Sequence, residues 1–187
     1  MDNTLIVIIL VVLSFSLAMN LLLTMRLHAI LRAELALRRP PASVQIGVPI
    51  QEFHGKALVG GRWVTSKEMR GQAAVLVFLS AGCPQCKRAL PELLRVSPGA
   101  RRIGLPLWIV GNESSRLLRK DLKDSELLRN VLILNPETRR RLNPQRAAPL
   151  YVFIDDDGIA KASELVGDEN WSLFANQLLE ASANAAA

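Results

Sequence analysis

The stretch VLVFLSAGCPQCKR, residues 75–88, decides the fold. Its first residues continue an apolar run that begins at Ala73, which is typical of a strand buried on both faces of a sheet. After a short turn comes Cys83-Pro84-Gln85-Cys86, and the proline suits the first position of a helix because its missing N–H costs nothing there. The sequence therefore predicts a buried strand that ends at Leu79 and a helix that opens on the cysteine pair.

This placement gives the two cysteines different chemical roles. Cys83 falls at the N-cap of the helix, where the unpaired amides and the positive end of the helix dipole stabilise a thiolate. Cys86 lies three residues further on, so both sulfurs share one helix face. Disulfide exchange needs an attacking thiolate and a resolving thiol beside it. We therefore predict that Cys83 attacks, that a mixed disulfide forms, and that Cys86 releases the partner, with Pro84 as a structural residue of the site.

Composition excludes several other classes. Cys83 and Cys86 are the only cysteines among the 187 residues, so a framework of structural disulfides is excluded. A structural zinc site is disfavoured because His28 and His54, the only histidines, show no ligand spacing to the pair. We expect no metal and no cofactor. The net charge of +6 comes without aromatic residues among the basic ones, so we expect no nucleic-acid partner.

An uncharged apolar segment, residues 5–25, precedes the domain. Its 21 residues are long enough to cross a hydrocarbon layer of roughly 30 Å. The alternative is a cleaved signal peptide, but Asp2 is the only charge before the segment, and the apolar run continues past a candidate cleavage site after Ala18. We expect an uncleaved transmembrane anchor over residues 1–27. The arginines behind it, at 26, 32, 38 and 39, favour a cytoplasmic domain by the positive-inside rule.

Beyond the anchor, residues 26–39 have the pattern of a helical extension ended by Pro40-Pro41; we assign 28–47 as a linker and 48–187 as the folded domain. Within the domain the pattern predicts a hairpin of 57–59 with 62–65 and a helical turn over 66–70 capped by Ser66. Further predicted strands are 73–79, 105–110, 131–134, 150–154 and 159–166. Predicted helices are 84–96, ended by Pro98-Gly99, then 114–128, 136–142 and 168–183. This order implies an α/β fold with a mixed central sheet and helices on both faces.

Residues 46–183 resemble the thioredoxin superfamily, and within it the TlpA-like membrane-anchored branch. The segment FLSAGCPQCKRALPEL, preceded by an anchor and by Ile46-Gly47-Val48-Pro49, is most similar to MauD, a family of methylamine-utilisation accessory proteins. The resemblance implies a thioredoxin-like fold behind one transmembrane helix, with the domain on the periplasmic side of the inner membrane. The resemblance also implies that the substrate is a protein disulfide, in a subunit of a periplasmic dehydrogenase that is undergoing maturation. The upstream redox partner is not implied by the resemblance.

A second landmark is AAPLYVFID, residues 147–155, which is similar to the family's cis-proline strand. By that resemblance Pro149 is cis and lies against Cys83, and the backbone of Ala148 pairs with an incoming polypeptide; the alternative is an ordinary trans proline at a strand start. Two positions depart from the family pattern. Val77 stands where thioredoxins carry a buried aspartate, which leaves Cys86 without an assigned proton acceptor, and Gly82 replaces the tryptophan before the first cysteine. Both departures favour a dedicated partner.

Three other functions fit parts of the sequence. A peroxiredoxin has a proline, then a serine or threonine, before its reactive cysteine. Ser80 matches the hydroxyl residue of that pattern, but Leu76 stands where the proline should be. A copper-delivery protein pairs its cysteines with a downstream histidine, and none follows His54. A non-catalytic, membrane-tethered binding module with a merely structural cysteine pair stays open, and normal function of a variant without both cysteines would support it.

Basic and aromatic residues outside the motif carry weaker signals. Lys87 and Arg88 could add to thiolate stabilisation and attract acidic substrates, or simply form a solvated helix face. The arginines at 139, 140, 141 and 146 precede Pro149 and either border the same surface or are solvated. The tryptophans at 63, 108 and 171 are expected to pack in the core.

Overall fold

The computed structural model of the protein describes residues 3–38, 44–113, 115–123 and 125–185. The chain divides into two compact units, residues 1–40 and 41–187. The first contains helix α1, Asn3–Arg38, whose apolar part, Val7–Ile30, is long enough to cross a membrane by length and composition alone. The predicted helical extension behind the apolar segment is thus confirmed, and residues 39–43 of the predicted linker lie outside the described residues.

The second unit alternates strands with helices. Its strands are β1 (His54–Ala57), β2 (Trp63–Thr65), β3 (Ala74–Leu79), β4 (Leu107–Gly111), β5 (Val131–Leu134), β6 (Leu150–Ile154) and β7 (Ala160–Leu165). Its helices are α2 (Pro84–Arg102), α3 (Ser115–Asp121), α4 (Pro136–Leu142) and α5 (Glu169–Asn184), and a 3-10 helix, Glu126–Asn130, precedes β5.

The described strands form one mixed sheet in the order β2-β1-β5-β4-β3-β6-β7. β3 runs parallel to β4 and antiparallel to β6, and all six of its residues are buried, which accounts for its uninterrupted apolar sequence. Its side chains alternate between two cores, one shared with α2 and α5 and the other with α4. The mixed sheet with helices on both faces is therefore confirmed, and the carboxyl end of its central strand leads directly to Cys83.

Helix α2 continues to Arg102, so the predicted end before Pro98-Gly99 is wrong. The reason is tertiary packing against α5. A Cβ added at Gly99 would lie 3.0 Å from both Leu178 Cδ2 and Ser182 Oγ, which shows how closely the two helices approach there. Packing of this kind offsets the cost of a proline inside a helix. The glycine therefore permits a helix contact instead of ending the helix.

Three other predictions need correction. The first hairpin strand is β1, since Leu58 and Val59 lie in the turn that follows it. The predicted helix 114–128 divides into α3 and the 3-10 helix, because the Ser125 side chain accepts a hydrogen bond from the Leu127 amide and starts a new element. Residues 66–70 form a turn, and it is the Thr65 hydroxyl that accepts from the Glu68 amide, while Ser66 Oγ accepts from Phe53 N.

Candidate active site

Cys83 occupies the N-cap of α2, as the sequence predicts. Its backbone is extended, with φ −72° and ψ 119°, and its Sγ accepts a hydrogen bond from the Cys86 amide at 3.2 Å. Pro84 stands in the first turn of the helix. Gly82, just before the pair, has φ +70°, a conformation that glycine adopts without the strain a side chain brings. The backbone of the turn therefore explains why a glycine precedes the first cysteine here.

The two thiols differ in exposure. Both are free, and Cys83 is half-buried, whereas only 4% of Cys86 is exposed. Burial is the main cause that raises the pKa of Cys86 to about 12; its hydrogen bond with Cys83 and the negative charge of Glu113 act in the same direction. Cys86 is consequently a protonated thiol near neutral pH. Cys83 is the sulfur that an incoming molecule can reach.

Three consecutive amides of the turn before Cys83 each donate to a different group. Ser80 N donates to Cys86 Sγ at 3.4 Å, and Ala81 N donates to Glu113 Oε2 at 2.9 Å. Gly82 N donates to Asp121 Oδ2 at 3.1 Å. Backbone amides without a hydrogen-bond partner would be costly here, so two carboxylates hold the turn, and no sequence pattern connects them with the cysteines.

The loop before β6 lies against the same sulfur. The Ala148–Pro149 peptide bond is cis, which confirms the expectation from the cis-proline resemblance. The Cys83 thiol lies 3.9 Å from the carbonyl oxygen of Ala148, and Pro149 is buried. The structure thus brings Cys83, Ala148 and Pro149 together, and pairing of the Ala148 backbone with a polypeptide stays a prediction.

Two buried asparagines connect this loop to the active-site turn. Asn112 donates through Nδ2 to Ser80 Oγ at 3.1 Å and to the carbonyl oxygens of Arg146 and Ala147, each at 3.2 Å. Asn143 donates to Asn112 Oδ1 at 3.1 Å and both donates to and accepts from the backbone of Ala147. The sequence analysis missed both residues, because the hydrogen bonds of Asn112 and the one that joins Asn143 to it connect positions more than 30 residues apart. The one available signal was a polar residue directly after a buried strand.

The basic residues named from the sequence fall into separate settings. Lys87 and Arg88 are exposed. Arg139 is half-buried and donates to the carbonyl oxygens of Gly111 and Glu113, so it supports the backbone after β4. Arg146 is exposed next to the cis-proline loop and has a positive φ of 53°.

The tryptophans differ in burial. Trp171 is buried, but Trp63 is 63% exposed, so the expectation of a packing role is wrong for Trp63, whose strand β2 lies at the edge of the sheet.

Among the described residues, acidic side chains close enough to share a cation occur at 155–157, where Asp155 binds Lys161 and the Ile159 amide. That cluster closes the β6–β7 turn.

No protein-family model and no curated protein matches the chain. Solved structures do match it. The thioredoxin domain of a thiol-disulfide oxidoreductase from Bacteroides vulgatus is 20% identical, with a TM-score of 0.60 over 73% of this chain and 99% of that one. A thiol:disulfide interchange protein of the thioredoxin family from Chlorobium tepidum is 21% identical, with a TM-score of 0.58 over 75% of this chain and 99% of that one.

A thiol:disulfide interchange protein from Bacteroides sp. is 19% identical, with a TM-score of 0.59 over 72% of this chain and 91% of that one. The chain has a thioredoxin-like fold.

Val77, in the central strand of this thioredoxin-like fold, is fully buried and packs in the same core as Cys86. The site therefore has an apolar residue beneath the second cysteine and its carboxylates at the side, on Glu113 and Asp121.

Proposed function

We propose that the chain is a membrane-anchored thiol:disulfide oxidoreductase that acts on protein disulfides through Cys83 and Cys86. The observation that carries the proposal is the asymmetry of the pair. An accessible Cys83 sits at a helix N-terminus, and a buried, protonated Cys86 hydrogen-bonds to it through its amide at 3.2 Å. The thioredoxin-like fold and its thiol:disulfide oxidoreductase neighbours support the same class of chemistry.

The reaction follows from this asymmetry. The Cys83 thiolate attacks one sulfur of a substrate disulfide, the substrate S–S bond breaks, and a mixed disulfide forms. The other substrate sulfur leaves as a thiolate in this first step. Cys86 then loses its proton and attacks Cys83 Sγ, and the substrate sulfur that was bound to Cys83 leaves as a second thiolate. Both substrate thiolates take up a proton. The substrate gains two electrons, and the chain keeps a Cys83–Cys86 disulfide. The same steps in reverse oxidise a dithiol substrate, and the relative reduction potentials set the direction.

The cis-proline loop supplies the docking edge in this proposal. Ala148 lies beside Cys83, so an extended substrate segment that pairs with the Ala148 backbone presents its disulfide to the attacking sulfur. Gly82 carries no side chain over the pair, and among the described residues no atom apart from its two chain neighbours lies within 4 Å of a Cβ built there. This opening suits a folded protein as partner more than a small thiol.

In this proposal, the apolar helix determines the compartment in which the chain meets its substrate. Helix α1 is apolar over Val7–Ile30, and it holds the domain at a membrane surface. The proposed side is the periplasmic side of the inner membrane, because disulfide substrates persist in oxidising compartments. The arginines behind the apolar segment favour the opposite side, so orientation is a separate point of test.

A dedicated substrate is part of the proposal. The resemblance of residues 78–93 to the MauD family favours a disulfide-containing subunit of a methylamine dehydrogenase-like periplasmic enzyme, with the chain acting during its maturation. Loss of the chain from its host should then leave that subunit with unpaired or wrongly paired cysteines. Correct disulfides in the subunit after such a deletion would remove this substrate from the proposal.

The chemistry is tested with glutathione disulfide and the full-length chain in detergent micelles. The reduced wild-type chain should form an internal disulfide and release two glutathione molecules. Cys86→Ala should stop at a stable glutathione adduct on Cys83, and Cys83→Ala should react far more slowly because Cys86 is buried and protonated. Equal rates for wild type and Cys83→Ala would contradict the assigned roles.

A further inference from the structure

Resolution of the mixed disulfide requires Cys86 to lose a proton, and its surroundings oppose that loss. Burial raises the pKa of Cys86 to about 12, and Val77 offers no polar atom. Besides Cys83, the described charged or titratable groups that face Cys86 are the Glu113 carboxylate, and Lys87 and Asp121 at the wall of a narrow crevice that Cys86 lines. The proton must go to one of these groups or to solvent.

Glu113 is held beside the second cysteine through the active-site turn. Its carboxylate accepts from Ala81 N at 2.9 Å, and the adjacent amide, Ser80 N, donates to Cys86 Sγ at 3.4 Å. Its backbone carbonyl accepts from the Arg139 guanidinium, which also donates to Gly111 O at 3.0 Å. Glu113 is therefore held both at its carboxylate and at its backbone carbonyl, it is half-buried, and its carboxylate binds the amide next to the one that binds Cys86 Sγ.

The other two groups are less suited to the task. Asp121 is exposed and accepts from Gly82 N, two residues away from the amide that binds Cys86. Lys87 is an exposed cation, and a protonated ammonium has no acceptor site. A half-buried carboxylate acts through less solvent than an exposed one, so its interaction with the thiol is screened less.

We propose that Glu113 is the proton acceptor for Cys86 when the mixed disulfide is resolved. The proposal rests on the oxidoreductase function and assigns a residue to its second step. The Cys86 S–H bond breaks and its proton passes to the Glu113 carboxylate. The Cys86 sulfur forms a bond to Cys83 Sγ, and the partner leaves with the electron pair of the broken S–S bond as a thiolate. Glu113 later returns the proton to solvent.

The two steps can be followed separately with Ellman's reagent, 5,5′-dithiobis(2-nitrobenzoate), and the full-length chain in detergent micelles. Attack by Cys83 releases the first coloured thiolate, and attack by Cys86 on the resulting adduct releases the second. In Glu113→Gln the amide oxygen still accepts from Ala81 N, but it takes no proton. The first phase should stay within about twofold of wild type, and the second should slow by at least about tenfold, as loss of a general base does.

The pH profile separates proton transfer from a purely electrostatic or structural role. Removal of the Glu113 charge favours the Cys86 thiolate, so a carboxylate that acts only as a charge predicts a faster second phase in Glu113→Gln. A proton acceptor predicts a slower one whose rate rises about tenfold per pH unit between pH 6 and 9, because it then follows the fraction of free thiolate. Glu113→Asp, which keeps a carboxylate, should regain part of the rate.

Glu68→Gln is the matched control, because it makes the same change from carboxylate to amide at a residue that accepts from the Thr65 hydroxyl, outside the active-site turn. Its second phase should match wild type. An unchanged or faster second phase in Glu113→Gln, or an equal slowing in both variants, overturns the assignment of Glu113. Absence of the first phase in wild type would instead contradict the oxidoreductase function itself, so the two failures are distinguishable.

Discussion

At the scale of single residues, the site depends on two thiols that lie three residues apart and experience opposite environments. Cys83 is half-buried at the start of α2 and accepts a hydrogen bond from the Cys86 amide, while Cys86 is enclosed by the core of the domain. The same sequence motif thus contains an attacking thiol and a buried resolving thiol. Differences in burial, more than differences in sequence neighbours, assign the roles.

This difference predicts selective alkylation by iodoacetamide, which reacts with thiolates. The pKa of Cys86 is raised from 9.0 to about 12, so in the folded chain Cys86 stays protonated at pH 8, while in urea it reacts like an ordinary thiol. Mass spectrometry of the digested protein should find label on Cys83 alone in the folded chain and on both residues in urea. Because the shift is upward, Cys86 labelling should begin only as the pH rises toward 12. Comparable labelling of both thiols at pH 8 would contradict the structure.

A second prediction concerns Asn112, which connects the active-site turn to the cis-proline loop. Asn112→Ala should lower the free energy of unfolding by about 1–3 kcal/mol, since it removes the buried hydrogen bond with Asn143 and the side-chain donor to the Arg146 carbonyl oxygen. It should also slow exchange with a disulfide-linked peptide more than alkylation of Cys83 by iodoacetamide, because the loop beside Cys83 loses its support.

Asn130→Ala is the control for that experiment. The Asn130 side chain donates to Ser97 Oγ, at 3.3 Å, away from the cysteines. Its removal should cost less than about 1 kcal/mol and leave both reactions unchanged. If the two asparagine variants behave alike in the peptide reaction, Asn112 does not organise the site.

At the scale of elements, α2 carries the cysteine pair and is fixed by its buried face. Leu93 is fully buried in the core, whereas its neighbour Leu94 is 40% exposed. Leu93→Ala should therefore lower the free energy of unfolding by about 2–5 kcal/mol, and Leu94→Ala by less than about 1 kcal/mol. Urea denaturation of both variants measures the difference. Similar losses for the two would show that α2 packs with a different face.

The elements also show which features a sequence can predict. The strand before Cys83 and helix α4 are found almost to the residue, because each has an uninterrupted apolar run or clear end signals. The end of α2 is not, since Gly99 serves a contact with α5 that no local pattern contains. Glu113, Asp121 and Asn112 were missed for the same reason: they reach the active-site turn from loops and a helix more than 25 residues away in the chain.

At the scale of the whole molecule, the chain combines an apolar helix with a thioredoxin-like domain. The helix predicts that the full-length chain stays with the membrane fraction after alkaline carbonate extraction, as an integral protein does. A variant without residues 1–30 should be released into the soluble fraction. Complete extraction of the full-length chain would show that its apolar segment is cleaved or does not insert.

Orientation gives a further prediction, which decides between the arginine pattern and the periplasmic proposal. A maleimide that does not cross membranes should label Cys83 in intact bacterial spheroplasts, because the proposed domain faces the outside. The Cys83→Ser variant should stay unlabelled, since its remaining thiol is buried. Labelling only after lysis would place the domain in the cytoplasm, as the arginines behind the apolar segment indicate.

Trapping of a mixed disulfide in cells shows whether Cys83 exchanges disulfides with a protein partner. Cys86→Ala removes the resolving thiol, so a mixed disulfide with a true substrate should persist in cells quenched with acid. On a non-reducing gel we expect a reducible adduct that is absent from the Cys83→Ala, Cys86→Ala double variant, and whose partner contains cysteines. No adduct in cells shown to express the partner would contradict the exchange function and favour a binding module with a structural cysteine pair.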